Sequence, residues 1–313
     1  MPHADLINWL QTAKTHSIRY LTARDLLGLP DDHAQVTLAR HAIMSDGIVP
    51  AIFAKQTPSG QWANEHSYYT PKYVSTHWNL MLLTELCVDP TDERFQRGVD
   101  YMLTVTENQK RDTLNIACLW GNLLRYALYA GRADDRRVQT IIEYLLKDLI
   151  CGNCRCRAND NHSCAWGVVR ALWGLAALPP TLQRLDTQSA INQALHFLLD
   201  SFNLIEANYP TTDNGKVHPL WFKLNFPLFY QADILFTLRV LADLGTLDHP
   251  NAEPALDWLE AQRLPDGHWH GSSPFRQRTW HELGDADETA RWVTLQSAFL
   301  LQQAKRFEYA NVT

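Results

Sequence analysis

The sequence predicts an all-α protein, a closed (α/α)6 barrel of six helical hairpins in one domain that spans residues 1–313. Three observations support this fold class. An apolar helix, a short polar connection and an amphipathic helix recur along the chain. Alternation of polar and apolar residues with hairpin turns, the pattern of strands, is almost absent from the sequence. Polar capping repeats, which an open α-solenoid requires at both ends, are also missing from it, so we expect the hairpins to close on themselves.

The first helix of each hairpin is the more apolar one and is predicted to face the barrel centre. These inner helices are expected at Ser17–Gly28, Lys72–Cys87, Asp112–Gly131, Ser163–Leu178, Phe226–Gly245 and Glu288–Ala304. Their outer partners are expected at about 33–45, 92–106, 134–149, 187–202 and 251–262. Glycine, proline and aspartate in the connections supply the helix stops and starts. A short helix at about 3–14 is predicted to fill the sixth outer position, beside the last inner helix.

Composition and charge restrict the functional classes. The chain has 313 residues, 46% of them hydrophobic and 20% charged, which is the balance of a packed globular protein. Its formal net charge of −6 gives no sign of nucleic-acid binding. No run approaches the roughly 18 to 20 apolar residues of a membrane span. The segment 1–16 lacks the pattern of a secretory signal, so we expect a cytoplasmic protein. Walker A, Rossmann and His-Glu-x-x-His patterns are absent from the sequence, and no nucleotide cofactor is expected.

The predicted barrel indicates where a functional site should lie. The inner helices run parallel, so their amino-terminal ends meet at one mouth, together with the long connections 57–71, 150–162, 203–225 and 263–287. Helix amino-terminal ends attract anions, and loops on a rigid scaffold commonly carry binding residues. We therefore expect the site at this mouth and a structural role for the opposite face, which carries short turns.

Two segments that follow outer helices carry a family resemblance. They are Gln56-Thr-Pro-Ser-Gly60-Gln-Trp62 and Gln262-Arg-Leu-Pro-Asp-Gly267-His-Trp269. Both resemble the QW repeat of the α/α-toroid superfamily, which includes squalene and oxidosqualene cyclases, class II diterpene cyclases and protein prenyltransferase β subunits. The length of the chain and the segments WNLMLLTEL, CLWGNLLRYAL and CAWGVVRAL are most similar to small single-domain bacterial squalene-cyclase-like proteins. The resemblance implies the same closed barrel over nearly the whole chain.

The segment Gly284-Asp285-Ala-Asp287-Glu288-Thr289-Ala290 opens the last inner helix and resembles the DxDDTA motif of class II terpene cyclases. The resemblance implies that Asp287 is the general acid that protonates an alkene or epoxide, with Asp285 and Glu288 as the neighbouring catalytic candidates. The chain departs from the motif at Glu288. It also has one domain, whereas cyclases usually build their cavity between two. The structural alternative is that these acidic residues stabilise the first turn of a helix.

Clustered cysteines predict a metal site. Cys118-Leu-Trp-Gly121 and Cys164-Ala-Trp-Gly167 share one pattern near the starts of successive inner helices, and three more cysteines lie in the connection between these helices. Zinc prefers four soft or borderline ligands in a tetrahedron. The predicted ligands are Cys118, Cys154, Cys156 and Cys164, with Cys151 and His162 as alternates. Related toroids use zinc with other ligand sets, so zinc is the expected cofactor, with a structural and a catalytic role both open. The alternative is that the cysteines are small core residues.

Aromatic and polar residues near the inner-helix starts are the candidate substrate-binding groups. They are Trp78, Trp120, Trp166, Trp292, Tyr69, Tyr73, Lys72, Asn122, Asp160, Lys223 and Asp233. In terpene cyclases such rings stabilise carbocations through their π faces, and the two lysines suit a diphosphate or carboxylate. The alternative is that the rings pack the core and the lysines lie on the surface.

Three functions follow from these patterns. The first is an enzyme that cyclises an apolar isoprenoid-type substrate by acid initiation. The second is a zinc-dependent transferase or cyclase. The third is a non-catalytic toroid that binds a ligand or a partner protein and contains a structural metal. We expect an apolar small-molecule substrate or ligand, no nucleic acid and no integral membrane span, and fold alone does not choose among the three.

Overall fold

The computed structural model describes residues 2–63, 66–109, 116–212 and 215–307. Within these ranges the chain forms helices, loops and isolated β-bridges, which confirms the all-α prediction. The α-helices are α1 Pro2–Gln11, α2 His16–Leu21, α3 Ala34–Ser45, α4 Ile48–Phe53, α5 Thr76–Glu85, α6 Glu93–Thr106, α7 Ala117–Tyr129, α8 Arg136–Gly152, α9 Ala165–Leu175, α10 Leu185–Leu195, α11 Ile234–Asp243, α12 Glu253–Ala261 and α13 Ala286–Gln303. π-helical turns extend α2 over Thr22–Leu26 and α10 over His196–Ser201. None of the described helices combines the length and apolar character that a membrane crossing requires.

Inner and outer helices differ in burial as their sequences predict. In α9, every residue except Trp166 is buried, because this helix is covered on all sides. In α8, the buried positions Val138, Ile141, Ile142 and Leu145 recur at helical spacing, and the other face is polar. An apolar stripe of this kind packs one face of a helix on a core and leaves the other in water.

The inner helices contact one another in a circuit. Neighbours pack in the order α5, α7, α9, α11, α13 and α2. The Oγ of Ser17 in α2 donates to the carbonyl of Leu86, just after α5, at 2.6 Å. Each inner helix also packs on the outer helix expected beside it: α2 on α3, α5 on α6, α7 on α8, α9 on α10, α11 on α12, and α13 on α1. The amino-terminal helix therefore lies beside the last inner helix, as predicted.

Two glycines allow α7 and α9 to approach closely. A Cβ atom on Gly121 would lie 2.1 Å from the carbonyl oxygen of Arg170. A Cβ atom on Gly174 would lie 2.5 Å from the carbonyl oxygen of Gly121. Because backbone atoms cannot yield to such overlaps, both positions require the absence of a side chain.

Trp62 and Trp269 of the two repeat segments make the same contacts. The backbone N–H of Trp62 donates to Thr76 Oγ1 at 3.0 Å, and that of Trp269 donates to Thr294 Oγ1 at 2.9 Å. Each indole N–H donates to a carbonyl ten residues earlier, at 2.7 and 2.8 Å. Trp62 thus joins α4 to the first residue of α5, and Trp269 joins α12 to the middle of α13; both tryptophans are fully buried.

The structural counterpart of Gln56 in the second repeat is Arg263 rather than Gln262. Gln56 Nε2 donates to the carbonyl of Gly60 at 3.0 Å, and Arg263 Nε donates to that of Gly267 at 3.3 Å. Both residues also form a β-bridge with the tryptophan of their repeat. The repeats are therefore equivalent in backbone geometry, although the glutamine is displaced by one position in the sequence.

Several helix boundaries differ from the sequence prediction. Helix α5 begins at Thr76 and α11 at Ile234, later than the predicted Lys72 and Phe226. For α11 the reason is Asp233, whose carboxylate caps the helix by accepting from the backbone N–H of Phe236. The predicted start at Asp112 lies outside the described residues. The helix α4 was not predicted.

Candidate functional site

Residues from all six inner helices line one central cavity of about 260 Å³. It lies at their carboxyl-terminal ends, opposite the mouth where the sequence predicts the site. Each inner helix contributes at least one lining residue, if the π-helical turn is counted with α2. In chain order these include Arg24, Glu85, Arg125, Trp173, Arg239 and Trp292. At the amino-terminal ends, the long connections fold inward and their aromatic rings pack on the inner helices. The cavity is therefore found on the face with short turns.

Three arginine–carboxylate pairs line this cavity. Each is an ion pair between a guanidinium nitrogen and a carboxylate oxygen. The pairs are Arg24 with Asp25, Arg125 with Asp243 at 3.0 Å, and Arg239 with Glu85 at 3.0 Å. The remainder of the wall is mainly apolar, with Trp173, Trp292 and Phe299 as its rings. The cavity thus combines balanced charge with aromatic surface.

Two of these arginines retain free hydrogen-bond donors. Arg125 uses Nη1, which contacts Asp243 and the carbonyl of Trp173, and Arg239 uses Nη2, which contacts Glu85. A guanidinium has five N–H donors in a rigid fork. The other nitrogens of Arg125 and Arg239 make no hydrogen bond to the described part of the chain. The cavity wall therefore offers more donors than its own carboxylates occupy.

Arg170 lies next to the cavity and is 1% exposed. Its guanidinium donates from Nε to the carbonyl of Gln231 at 2.9 Å and lies 3.8 Å above the ring of Phe236. It also contacts the ring of Trp173, which lines the cavity. Burial lowers the pKa of Arg170 to about 9, because the charged form loses its hydration.

Beside Arg170 lies a layer of buried polar side chains. His77 Nε2, Asn122 Oδ1 and Gln231 Oε1 have no hydrogen-bond partner among the described residues. On its other side, His77 pairs through Nδ1 with the hydroxyl of Tyr126 at 3.2 Å. Burial lowers the pKa of His77 to about 3, so its imidazole is neutral at neutral pH. Buried polar atoms of this kind commonly bind internal water or a ligand.

Asp233 lines a small extension of about 10 Å³ that shares Glu85 and Arg239 with the central cavity. Its Oδ2 accepts from the backbone N–H of Asn225 at 2.9 Å, and its Oδ1 accepts from that of Phe236 at 2.7 Å. Burial raises the pKa of Asp233 to about 6, against the effect of these hydrogen bonds. Of the predicted substrate-binding residues, Asp233 lines this extension and Trp292 lines the main cavity.

The predicted catalytic carboxylates lie at the first turn of α13. Asp285 caps the helix by accepting from the backbone N–H groups of Asp287 and Glu288, and these bonds lower its pKa. The side chain of Asp287 is 57% exposed and pairs with Arg291 Nε at 2.9 Å. Neither residue is among those that line the central cavity. Acid catalysis by Asp287 stays a prediction, and this geometry supports the structural alternative.

Glu288 is 2% exposed and joins the two ends of the chain. Its carboxylate accepts from the backbone N–H of Lys14 at 2.8 Å and from that of Thr15 at 3.0 Å. Arg291, which lies 3.7 Å from the same carboxylate, donates to the carbonyl of Trp9 in α1. The acidic first turn thus holds the amino-terminal segment against the last inner helix.

The four predicted tryptophans do not form one ring. Trp78 and Trp166 both contact Tyr230, with centroids 6.0 Å apart in each case. Trp120 faces the outer helix α8, with its centroid 6.2 Å from that of Tyr144. Trp292 stacks on Phe226 at 4.2 Å and reaches the central cavity. Similar positions in sequence therefore face different layers of the molecule.

At the amino-terminal mouth, aromatic rings contact one another closely. Tyr73 stacks on Phe229 at 4.4 Å and contacts Phe275 at 4.5 Å, while Tyr69 contacts Trp78 at 4.6 Å. We call the residues Tyr69, Tyr73, Trp78, Phe229, Tyr230 and Phe275 the aromatic cluster. Contacts at these distances give a packed layer at this mouth.

The predicted polar binding residues lie in different places. The ammonium of Lys72 lies 4.6 Å above the ring of Tyr230 and 5.4 Å from that of Tyr69. Asn122 is buried and donates to the carbonyl of Phe229 at 3.3 Å. Asp160 and Lys223 are exposed in loops. Of the three charged residues, Lys72 is the one that contacts the aromatic cluster.

The loop before α9 brings two thiols into contact. Cys156 and Cys164 share a hydrogen bond, which lowers the pKa of Cys156 to about 6. The same bond, together with burial, raises the pKa of Cys164 well above its ordinary value. Cys154 is buried and hydrogen-bonded to Asp148, and all six cysteines are free thiols. Burial raises the pKa of Cys118 to about 12.

The alternates Cys151 and His162 are both exposed. Among the residues that the structure describes, no group of three or more His, Cys, Asp or Glu side chains is arranged to hold a metal ion. One reason is that the Cys154 side chain is hydrogen-bonded to Asp148, whereas that of Cys156 is hydrogen-bonded to Cys164. Zinc binding by Cys118, Cys154, Cys156 and Cys164 stays a prediction.

The cavity arginines and their carboxylates were missed in the sequence. A signal was present, since Arg125, Arg170 and Arg239 each stand within an apolar run of an inner helix. Arginine is rarely buried in such a run unless it is paired. Isolated arginines in the apolar runs of successive inner helices therefore indicated polar groups in the space between these helices.

Comparison with known proteins gives no relative for this chain: no family model, no curated protein and no solved structure matches it.

Proposed function

We propose that this chain is a closed α/α toroid that binds a small amphipathic molecule with an anionic head group in its central cavity. The observation that carries the proposal is that residues from all six inner helices line one cavity of mixed aromatic and charged character. The circuit of inner-helix contacts and the matching outer helices support the closed barrel. Such a chamber, mostly apolar with a few convergent polar groups, is the general form of a small-ligand site.

The size of the cavity restricts the ligand. Ligand pockets commonly measure about 300 to 1,000 Å³, and an engineered apolar cavity of about 150 Å³ holds benzene. The cavity here, at about 260 Å³, suits a ligand somewhat larger than one aromatic ring. The rings of Trp173, Trp292 and Phe299 favour an apolar body.

The charges of the cavity indicate the head group. Glu85 and Asp25 each accept through both oxygens, whereas Arg125 and Arg239 retain donors. A carboxylate or similar acceptor would satisfy these donors, and bidentate contact with arginine is among the stronger hydrogen-bonded pairs. A wholly apolar isoprenoid would remove the ion pairs from water without offering them hydrogen bonds in return. This desolvation would lower the binding affinity of such a ligand.

The test compares two probes of the same skeleton. Isothermal titration calorimetry of the full chain should show one saturable site for 3-phenylpropionate. Affinity for 3-phenylpropan-1-ol should be lower by about tenfold or more, because a hydrogen bond to a charged group contributes about 1.5 to 3 kcal/mol.

Variants locate this site. Leu295→Trp should abolish binding of both probes by filling the cavity, which Leu295 lines. Arg239→Gln should weaken the binding of 3-phenylpropionate more than that of 3-phenylpropan-1-ol. Arg136→Gln is the control, since its side chain is 87% exposed on the outer helix α8. Equal binding by Leu295→Trp and the parent chain, or no saturable binding of either probe, would contradict the proposal.

An enzymatic role is a second candidate, and Asp233 is the residue that favours it. A carboxyl group whose pKa is raised to about 6 can exchange a proton near neutral pH. It lies in the extension that shares Glu85 and Arg239 with the cavity. If Asp233 senses the ligand, the affinity for 3-phenylpropionate should change across pH 6 in the parent chain and not in Asp233→Asn. A flat profile in both would remove this candidate.

A further inference from the structure

The loop between α8 and α9 folds back on itself at a β-bridge between Arg155 and Ser163. The backbone N–H of Cys156 donates to the carbonyl of His162 at 3.0 Å. Side chains alternate between the two faces of a paired extended segment. In this register Cys156 lies opposite His162 and Cys164 opposite Cys154, so Cys156 and Cys164 are diagonal neighbours on the face opposite Arg155 and Ser163. This placement is consistent with the hydrogen bond between their side chains.

The surroundings single out this pair among the loop cysteines. Cys156 is partly exposed, so a small reagent can reach its sulfur, whereas the Cys164 thiol is more buried. Cys164 is the N-cap of α9, and its Sγ accepts from the backbone N–H of Gly167 at 3.4 Å. Cys154 is buried and engaged by Asp148, and Cys151 is exposed at the end of α8.

We propose that Cys156 and Cys164 form a redox-active dithiol that low-molecular-weight disulfides oxidise to an intramolecular disulfide. The Cys156 sulfur attacks one sulfur of the reagent, which breaks the reagent's S–S bond and releases its first thiol. The Cys164 sulfur then attacks the Cys156 sulfur of this mixed disulfide and displaces the second thiol. In sum, two protein thiols and one reagent disulfide give one protein disulfide and two reagent thiols, so the protein loses two electrons and two protons to the reagent.

The new bond would close the loop across residues 157–163 and tie it to the start of α9. That helix begins beside Trp166, whose ring contacts Tyr230 of the aromatic cluster. Oxidation would therefore stiffen the connection at the amino-terminal mouth of the barrel, away from the central cavity. The cysteine pair is separate from the proposed ligand site, so a test of one proposal does not decide the other.

The test is performed on the full chain, reduced, desalted and then incubated with glutathione disulfide. Thiol titration of the denatured protein should fall from six free cysteines to four. Its intact mass should fall by two hydrogen atoms, and peptide mapping after alkylation should link Cys156 to Cys164. Cys156→Ser and Cys164→Ser should each prevent the link, whereas Cys151→Ser and Cys87→Ser should preserve it.

Mapping of the parent chain keeps the test independent of any variant that fails to fold. A lasting glutathione adduct on Cys156, a link between Cys154 and Cys164, or six thiols that stay reduced would each overturn the proposal.

Discussion

At the scale of single residues, the buried imidazole of His77 is notable because one of its nitrogens has no hydrogen-bond partner among the described residues. His77 is fully buried, with its Nδ1 paired to Tyr126 and its Nε2 unpartnered among the described residues. A protonated imidazole here would place a charge in the core near Arg170, which also lowers the pKa of His77. The folded state therefore favours the neutral form of His77.

The pH dependence of stability tests this state of His77. The unfolded chain binds the proton near pH 6.5 and the folded chain only near pH 3. The contribution of His77 to stability is therefore complete above pH 6.5 and falls as the pH is lowered towards 3. At pH 5 the loss is about 2 kcal/mol, since one pKa unit corresponds to about 1.4 kcal/mol.

Urea unfolding of the parent chain and of His77→Gln at pH 7 and pH 5 measures this loss. The parent should lose more free energy of unfolding than the variant. Asp233, whose raised pKa acts in the opposite direction, is present in both and cancels in the difference. Equal losses would show that His77 does not titrate as the structure requires.

At the scale of elements, the contact between α7 and α9 depends on glycine. Replacement of Gly121 by alanine would place a methyl group 2.1 Å from the carbonyl oxygen of Arg170. The helices must separate to accept it, and we expect Gly121→Ala to lower the free energy of unfolding by about 1 to 3 kcal/mol or more.

Gly152→Ala, at the end of α8, is the matched control. Its new methyl group would meet the flexible side chain of Arg155 at 3.3 Å, which can move aside. Its effect should stay within about 0.5 kcal/mol, and chemical denaturation measures both variants. A Gly121→Ala protein as stable as the control would show that the two helices are not held at this separation.

At the scale of the whole molecule, Glu288 connects the first helices of the chain to the last. Glu288→Gln removes the charge that the backbone N–H groups of Lys14 and Thr15 contact. Because a weakened partner leaves buried donors poorly satisfied, the free energy of unfolding should fall by about 1 to 3 kcal/mol. Hydrogen exchange should accelerate at the amides of Lys14 and Thr15.

Asp31→Asn is the control for this prediction, since Asp31 forms an ion pair with Arg40 in which the two side chains are 74% and 48% exposed. Exposed pairs contribute about 0.2 to 1 kcal/mol, so the change should be small. If both variants behave alike, the carboxylate of Glu288 does not hold the amino-terminal segment in place.

Helix type and order could be predicted from the sequence because they depend on local periodicity. An inner helix such as α9 is apolar on every side, and an outer helix such as α8 carries one apolar stripe. The tryptophans of the repeat segments were identified by the resemblance of these segments to the QW repeat. These features are written within a few turns of chain, where hydrophobic spacing and helix caps act.

The position of the candidate site was decided only by tertiary structure. The phase of Trp78, Trp120 and Trp292 is similar in sequence, yet the three rings contact different neighbours. In the acidic motif, the carboxylate of Asp285 accepts from backbone N–H groups at the start of α13, and that of Glu288 accepts from the backbone N–H of Lys14. The long connections pack at the amino-terminal ends of the inner helices, and the cavity with its arginines lies at their carboxyl-terminal ends. The sequence by itself determined which segments are helical and which of their faces are apolar, because those properties are local. Only packing decided which polar groups meet, because that depends on contacts between residues far apart in the chain.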